Sequence, residues 1–243
     1  MENSYSFCDL HSHILPGMDD GCQTVDESVQ VLRSCYEQGI RKICATPHYY
    51  PVESVDEFLA RRDASAQELH KALEKETMPV PKICLGAEVA YRPGICYQED
   101  LDKLCIGSSQ YLLLEMPFHQ WGEEVIRTVR GISNVRGITP ILAHIERYLP
   151  MQEKEVLERL LDQEILVQMN AARLLHFATR GQARRLLING TVQLLSSDCH
   201  NNTSRPQNIS QAVAYLQKKG MDAVLEELSR RSRRIFREAT GEK

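Results

Sequence analysis

Short apolar runs alternate with longer amphipathic segments from one end of the chain to the other, and this alternation leaves few architectures open. The runs fall at 5–10, 43–46, 83–89, 111–114, 138–143, 165–169 and 192–196. They read as continuously apolar rather than strictly alternating, the pattern of strands buried on both faces of a parallel sheet. Between them, Thr24-Val-Asp-Glu27 and Ser54-Val-Asp-Glu57 have the spacing of capping boxes that open helices. The first of these helices would carry Val25, Val29, Leu32 and Tyr36 on one face and stop at Gly39; the second would use Phe58, Ala66, Leu69 and Leu73 and run to about 76. Further helices are expected over about 122–136, ended by Gly137, through Val156, Leu157, Leu160 and Leu161, and over about 179–189, 207–219 and 221–239.

No linker rich in Pro or Gly and no obvious repeat interrupts the 243 residues, so one domain over 1–243 is expected. Seven strands with helical or loop crossovers fit an α/β fold closed into a distorted barrel, an architecture that runs to roughly 250 residues. A doubly wound open sheet usually carries a Gly-rich loop after its first strand, and none is present.

Composition narrows the function. With 42% hydrophobic and 26% charged residues the chain is globular, and its net charge of −4 supplies no general basic field for nucleic acid. Basic charge concentrates only near the C-terminus, where Arg230, Arg231, Arg233, Arg234, Arg237 and Lys243 face two acids, Glu238 and Glu242. A solvated helix accounts for this run, and an acidic partner is the sharper alternative. None of the eight cysteines stands at the C-x-x-C spacing of a zinc knuckle, so they read as scattered reduced thiols. No apolar run approaches the ~18 residues of a membrane span and no leader pattern opens the chain, which makes the cytoplasm the default compartment.

The decisive pattern is where metal-competent side chains fall. His11-Ser-His13 and then Asp20 follow the first strand, His48 the second, Glu88 ends the third, Glu115 the fourth, His144 follows the fifth, and Asp198 and His200 the seventh. Taken singly, each has a dull explanation as a helix cap or a partly buried polar group. Together they stand at the same end of six strands, and in a parallel barrel all those ends open onto one face. His-x-His on an extended backbone aims two imidazoles to one side. Five imidazoles and four carboxylates exceed the needs of one ion, and mixed N/O ligation suits manganese, iron or zinc.

These residues carry a family resemblance. Asp9-Leu-His-Ser-His13, Leu15-Pro-Gly-Met-Asp-Asp-Gly21, Ala45-Thr-Pro-His48, Gly86-Ala-Glu88, Leu114-Glu-Met-Pro117, Ala143-His-Ile-Glu-Arg-Tyr148 and Ser196-Ser-Asp-Cys-His-Asn201 resemble the polymerase-and-histidinol-phosphatase (PHP) superfamily. Within it they are most similar to bacterial capsular and exopolysaccharide tyrosine-protein phosphatases. The resemblance implies a (β/α)7 TIM-like barrel with a trinuclear centre, usually of manganese, with iron, zinc, cobalt or magnesium as substitutes. It would place one ion on His11, His13, Glu88 and Asp198, a second on Glu88, Glu115 and His144, and a third on Asp20, His48 and His200. It also implies that Arg147 and Arg205 bind the phosphate and act in catalysis, and that the substrate is the phosphotyrosine-bearing tail of a bacterial tyrosine kinase controlling polysaccharide synthesis. Glu146, in the same motif as Arg147, is expected to be structural or at the surface.

Metal ions of this kind lower the pKa of water from 15.7 toward about 7, giving a nucleophile near neutral pH. Two guanidiniums would neutralise charge on the phosphoryl oxygens. An aryl ester helps because its phenol, with a pKa near 10, leaves more readily than an alkoxide. Two rivals remain open in the sequence. A histidinol-phosphate or other small-molecule phosphomonoesterase would share the ion site. A thiol-based phosphatase would use Cys199-His-Asn-Asn-Thr-Ser-Arg205, a Cys-x5-Arg spacing after a strand, although that loop has no glycine and its Asp198 opposes thiolate formation.

Overall fold

The computed structural model describes residues 5–242. Nine parallel strands carry the fold: β1 (Cys8–Asp9), β2 (Lys42–Ala45), β3 (His48–Tyr49), β4 (Lys82–Leu85), β5 (Glu88–Ala90), β6 (Tyr111–Glu115), β7 (Thr139–Leu142), β8 (Leu166–Asn170) and β9 (Leu194–Ser196). They lie in the orders β1-β2-β4 and β3-β5-β6-β7-β8-β9. The two orders are parts of one barrel of seven staves, because β2 and β3, and likewise β4 and β5, are one stave each with a kink. Pro47 lacks an N–H and interrupts the first, and Gly86-Ala87 interrupts the second. Backbone bonds nevertheless bridge the kinks, Gly86 N–H to Ala45 O at 2.9 Å and Glu88 N–H to Pro47 O at 3.0 Å. The barrel closes where His13 N–H donates to Cys199 O at 2.8 Å and Asp198 N–H to His11 O at 3.0 Å.

Both expected capping boxes form, opening α1 (Val25–Glu37) and α2 (Val55–Leu73). The buried face of α1 runs through Val29, Leu32 and Cys35 rather than out to Tyr36, which is only half-buried. α3 (Glu123–Arg136), α4 (Lys154–Leu161), α5 (Arg180–Ile188), α6 (Ile209–Lys218) and α7 (Asp222–Thr240) follow in the expected places. After β5 there is no α-helix but two 3-10 turns, Ile95–Tyr97 and Leu101–Leu104.

The C-terminal helix α7 is not merely a solvated basic segment. Its Ile235, Phe236 and Ala239 join Cys8, Leu10, Cys44, Cys84, Leu113, Ile141 and Leu194 in one buried cluster. Ser232 Oγ accepts from Cys8 N–H, and Glu242, just past the helix, pairs with Lys42 and Lys82 at the starts of β2 and β4. α7 therefore plugs the end of the barrel where the strands begin. Gly107 makes room for it, since a Cβ there would lie 2.2 Å from Ala239 O. The opposite end, where the strands finish, is left for a site. No helix among the described residues is long and apolar enough to cross a membrane.

Candidate metal centre

All nine side chains singled out in the sequence come together at that open end. His11 Nε2 and His13 Nε2 lie 3.2 Å apart, and each is 3.1 Å from Glu88 Oε2 and 3.5 Å from Asp198 Oδ1. Glu88 is central: its Oε1 is 2.8 Å from His144 Nε2 and its Oε2 is 3.2 Å from His48 Nδ1. Glu115, the last residue of β6, reaches His144 Nε2 at 3.8 Å and His48 Nδ1 at 4.0 Å. Asp20, exposed at the mouth, holds its Oδ1 3.2 Å from His200 Nε2 and 3.6 Å from His48 Nε2.

Three groups of donor atoms within 4.8 Å of one another emerge: His13, Asp20, His48 and His200; His11, His13 and Asp198; and His48, Glu88 and Glu115. They differ from the partition that the family resemblance implies in three ways, the first being that Glu88 falls outside the group of His11, His13 and Asp198. His13 also faces the third group, and His48 joins the two glutamates in place of His144, whose Nε2 turns to Glu88 Oε1.

The donor set fits ions. His48 Nδ1, Asp198 Oδ1 and His200 Nε2 are buried without a hydrogen bond, although other polar atoms lie 3.2–3.6 Å away. Buried polar atoms are normally satisfied, so lone pairs that converge without bonding one another point to an absent shared partner. Imidazole and carboxylate donors in such numbers suit manganese, iron or zinc.

A supporting layer escaped the sequence reading. Asp19 Oδ2 is 2.7 Å from His13 Nδ1 and accepts from the His48 backbone N–H at 2.9 Å, so it orients the His13 ring and fixes the backbone that carries His48. Its Oδ1 accepts from Gly21 N–H at 2.9 Å, and Gly21 is obligatory there because a Cβ would lie 2.2 Å from His13 O. On β8, Gln168 Oε1 accepts from His144 N–H at 2.6 Å and lies 3.3 Å from His11 Nδ1. Gln168 Nε2 donates to Asn170 Oδ1 at 2.9 Å, and Asn170 Nδ2 donates to Asp198 Oδ2 at 2.7 Å. Tyr148 OH sits 3.2 Å from His144 Nδ1, turning Nε2 of that ring inward. Polar residues two apart in the otherwise apolar Leu-Val-Gln-Met-Asn strand were the available signal, because that spacing aims both into the barrel. His144 and Asp198 also adopt left-handed backbones, φ 32° and 55°, a strain that clusters at functional sites.

Electrostatics follow from burial and crowding. Burial, then the charge of Glu88, pushes the Glu115 carboxyl up to about 7. Burial and then His13 press His200 down to about 4. Burial opposes charge on His13 as well, but Asp19 and Glu88 overcome it and raise that ring to about 10. Burial likewise disfavours the Asp198 anion, yet His11 and the other cations beside it hold its carboxyl well below the usual range. Two of those cations are the predicted arginines: Arg147 Nη2 donates to Asp198 Oδ2 at 2.5 Å and Arg205 Nη2 to the same oxygen at 2.8 Å. Arg205 Nη1 also reaches Asp20 Oδ2 at 3.3 Å. Glu146 is not at the surface: it is buried, its carboxyl is pushed up to about 7 by burial, and its oxygens face Asn170 N–H at 3.4 Å.

The thiol alternative fails on geometry. Cys199 is fully buried and the Arg205 guanidinium goes to Asp198. The loop's amides are already used: those of Thr203, Ser204 and Arg205 donate to Asn201 Oδ1, and those of His200 and Asn201 to Arg205 O. Only the Asn202 amide is left, too few to cradle a phosphate.

Comparison with known proteins agrees with this geometry. Residues 7–236 match the capsular polysaccharide synthesis CpsB/CapC family. The chain is 32% identical to tyrosine-protein phosphatase CpsB of Streptococcus pneumoniae, over 87% of this chain and 90% of that protein. It is 30% identical to tyrosine-protein phosphatase YwqE of Bacillus subtilis, over 86% and 84%. In three dimensions it resembles a chain from the crystal structures of those two proteins, described as metal-dependent tyrosine phosphatases, with a TM-score of 0.83, 26% identity and 95% and 94% of the two chains covered. A phosphotriesterase homology protein from Escherichia coli, 10% identical with a TM-score of 0.52 over 94% and 98%, shares the fold. The chain belongs to the CpsB/CapC capsular polysaccharide synthesis family.

Proposed function

We propose that residues 5–242 act as one metal-dependent phosphatase domain that removes phosphate from tyrosine in proteins. The observation that carries this reading is a centre of nine imidazole and carboxylate side chains, with Arg147 and Arg205 sharing one oxygen of Asp198 at its mouth. The ligands we assign are His11, His13, Asp20, His48, Glu88, Glu115, His144, Asp198 and His200, holding up to three ions, manganese foremost. Bound there, divalent ions would activate water and neutralise charge on the phosphoryl oxygens.

The protein's own groups do the rest. Arg147 and Arg205, each about one-third exposed, are anchored at one end by Asp198 and have donors free to meet a dianion with forked hydrogen bonds. Asp19, Gln168 and Tyr148 keep the rings aimed inward before substrate arrives, and that preorganisation is the protein's main contribution to such a reaction. A phenol departs with a pKa near 10, so the chain need not supply a strong acid to the leaving group. The family's place in capsular polysaccharide synthesis, and the tyrosine-phosphatase names of the relatives, support a tyrosine-phosphorylated tail of a bacterial kinase as the substrate, met in the cytoplasm.

The test is kcat/KM of the manganese-reconstituted protein on a phosphotyrosine peptide, its phosphoserine counterpart and histidinol phosphate. Phosphotyrosine should lead by at least about tenfold, because its leaving group is the most acidic of the three. A lead for either competitor would remove the tyrosine assignment.

A further inference from the structure

Four aromatic side chains are exposed among the described residues: Tyr50, Tyr97, Phe118 and Phe177. Phe177 has the Arg180 guanidinium 4.7 Å from its ring centre, and Tyr97 stands beside the C-terminal Arg136 of α3, which donates to its carbonyl at 3.1 Å. Tyr50 rests directly on the centre, and Phe118 lies one residue removed from it. Tyr50, 47% exposed, stacks on the His48 imidazole with centroids 5.4 Å apart and planes 23° from parallel. Phe118, 59% exposed, packs 4.9 Å from the ring of Tyr148, whose hydroxyl meets His144.

In the strand order, Tyr50 follows β3 and Phe118 follows β6, so the two flank the stave that carries Glu88. Asp198, to which both guanidiniums are tied, follows β9 on the other side of the barrel. A phosphate held by these guanidiniums from the β9 side would direct its ester substituent across the mouth toward the two rings. Aromatic faces favour other aromatic rings.

We infer that Tyr50 and Phe118 form an aryl-binding wall that receives the phenyl ring of the substrate while Arg147 and Arg205 hold its phosphate, so that aryl phosphates are selected over alkyl ones. This rests on the phosphotyrosine reading above and assigns it a physical source of specificity besides leaving-group acidity.

Phosphonates remove the leaving group from the comparison. Calorimetric titration of the manganese-loaded protein with phenylphosphonate and methylphosphonate should give wild-type binding about tenfold tighter for the phenyl compound. In Tyr50→Ala/Phe118→Ala that advantage should fall below about threefold, whereas Tyr50→Phe, which keeps the ring, should retain it. Equal wild-type binding of the two compounds, or an unchanged advantage in the double variant, overturns the inference. Should the double variant lose its ions or its fold, Tyr50→Leu and Phe118→Leu preserve bulk. Each should then cut the advantage severalfold, and no change in either is equally fatal. Because the titration needs no turnover, an intact phenyl preference with no phosphotyrosine hydrolysis would sink the proposed reaction and leave the wall standing. Hydrolysis of phosphotyrosine without any phenyl preference would do the reverse.

Discussion

Two adjacent aspartates, Asp19 and Asp20, show how much a single side-chain direction decides. Asp20 points to the mouth, where its Oδ1 meets His200 and His48. Asp19 points under the centre and holds His13 Nδ1 at 2.7 Å. Removing such an orienting partner typically weakens a metal site about 10- to 100-fold without unfolding the protein. Asp19→Asn should therefore lower manganese affinity by that order in a metal titration while circular dichroism stays unchanged; affinity within twofold of wild type would show that Asp19 does not position His13. The Asp-Asp pair in the sequence does not reveal which member is which, because periodicity says nothing about direction in an irregular loop. The nine candidate ligands were legible for a different reason: each follows or ends a strand, and the topology alone then carries them to one face. Gln168 and Asn170 were legible only as polar interruptions of an apolar strand, and of the two places open to Glu146, structural or at the surface, its neighbours Arg147 and Tyr148 do not disclose that its side chain takes the inward one.

Among the elements, α7 departs furthest from its sequence. Its arginines advertise solvent, yet Leu225, Leu228, Ile235, Phe236 and Ala239 form a buried stripe, of which the last three reach the barrel interior. Much of the charge is satisfied locally: Arg230 and Arg231 pair with Glu227, and Arg234 donates to Tyr111 OH at 3.0 Å. Phe236→Ala should destabilise the protein by about 3–5 kcal/mol, whereas Arg233→Ala, on the exposed side, should stay within about 0.5 kcal/mol. Denaturant midpoints measure both, and equal small effects would mean that α7 does not plug the barrel. The capping boxes at Thr24 and Ser54 were readable because two reciprocal hydrogen bonds fix their spacing. The kinks that divide two staves were written as Pro47 and Gly86, but the apolar run over 83–89 hid the second, and the run over 43–46 stopped short of the first, leaving His48–Tyr49 unread as a strand. The segment after β5 lacks helical periodicity and folds instead as 3-10 turns, so its conformation depends on packing against α2 and α3.

At the scale of the whole molecule, one end of the barrel is closed by apolar packing and the other by a polar cluster with unpaired lone pairs. Placing Glu88, Glu115, Asp198 and five imidazoles together without ions leaves buried atoms unsatisfied, at a cost that only cations of suitable coordination can offset. The number of ions that the centre holds is therefore the decisive quantity. Elemental analysis of protein reconstituted with excess manganese and freed of loose metal, with phosphotyrosine hydrolysis assayed on the same sample, measures it directly. More than one ion per chain should be found, and a chelator should remove the ions and the hydrolysis together; a folded sample with at most one ion per chain, or one that still hydrolyses phosphotyrosine after the metal is gone, would contradict the account.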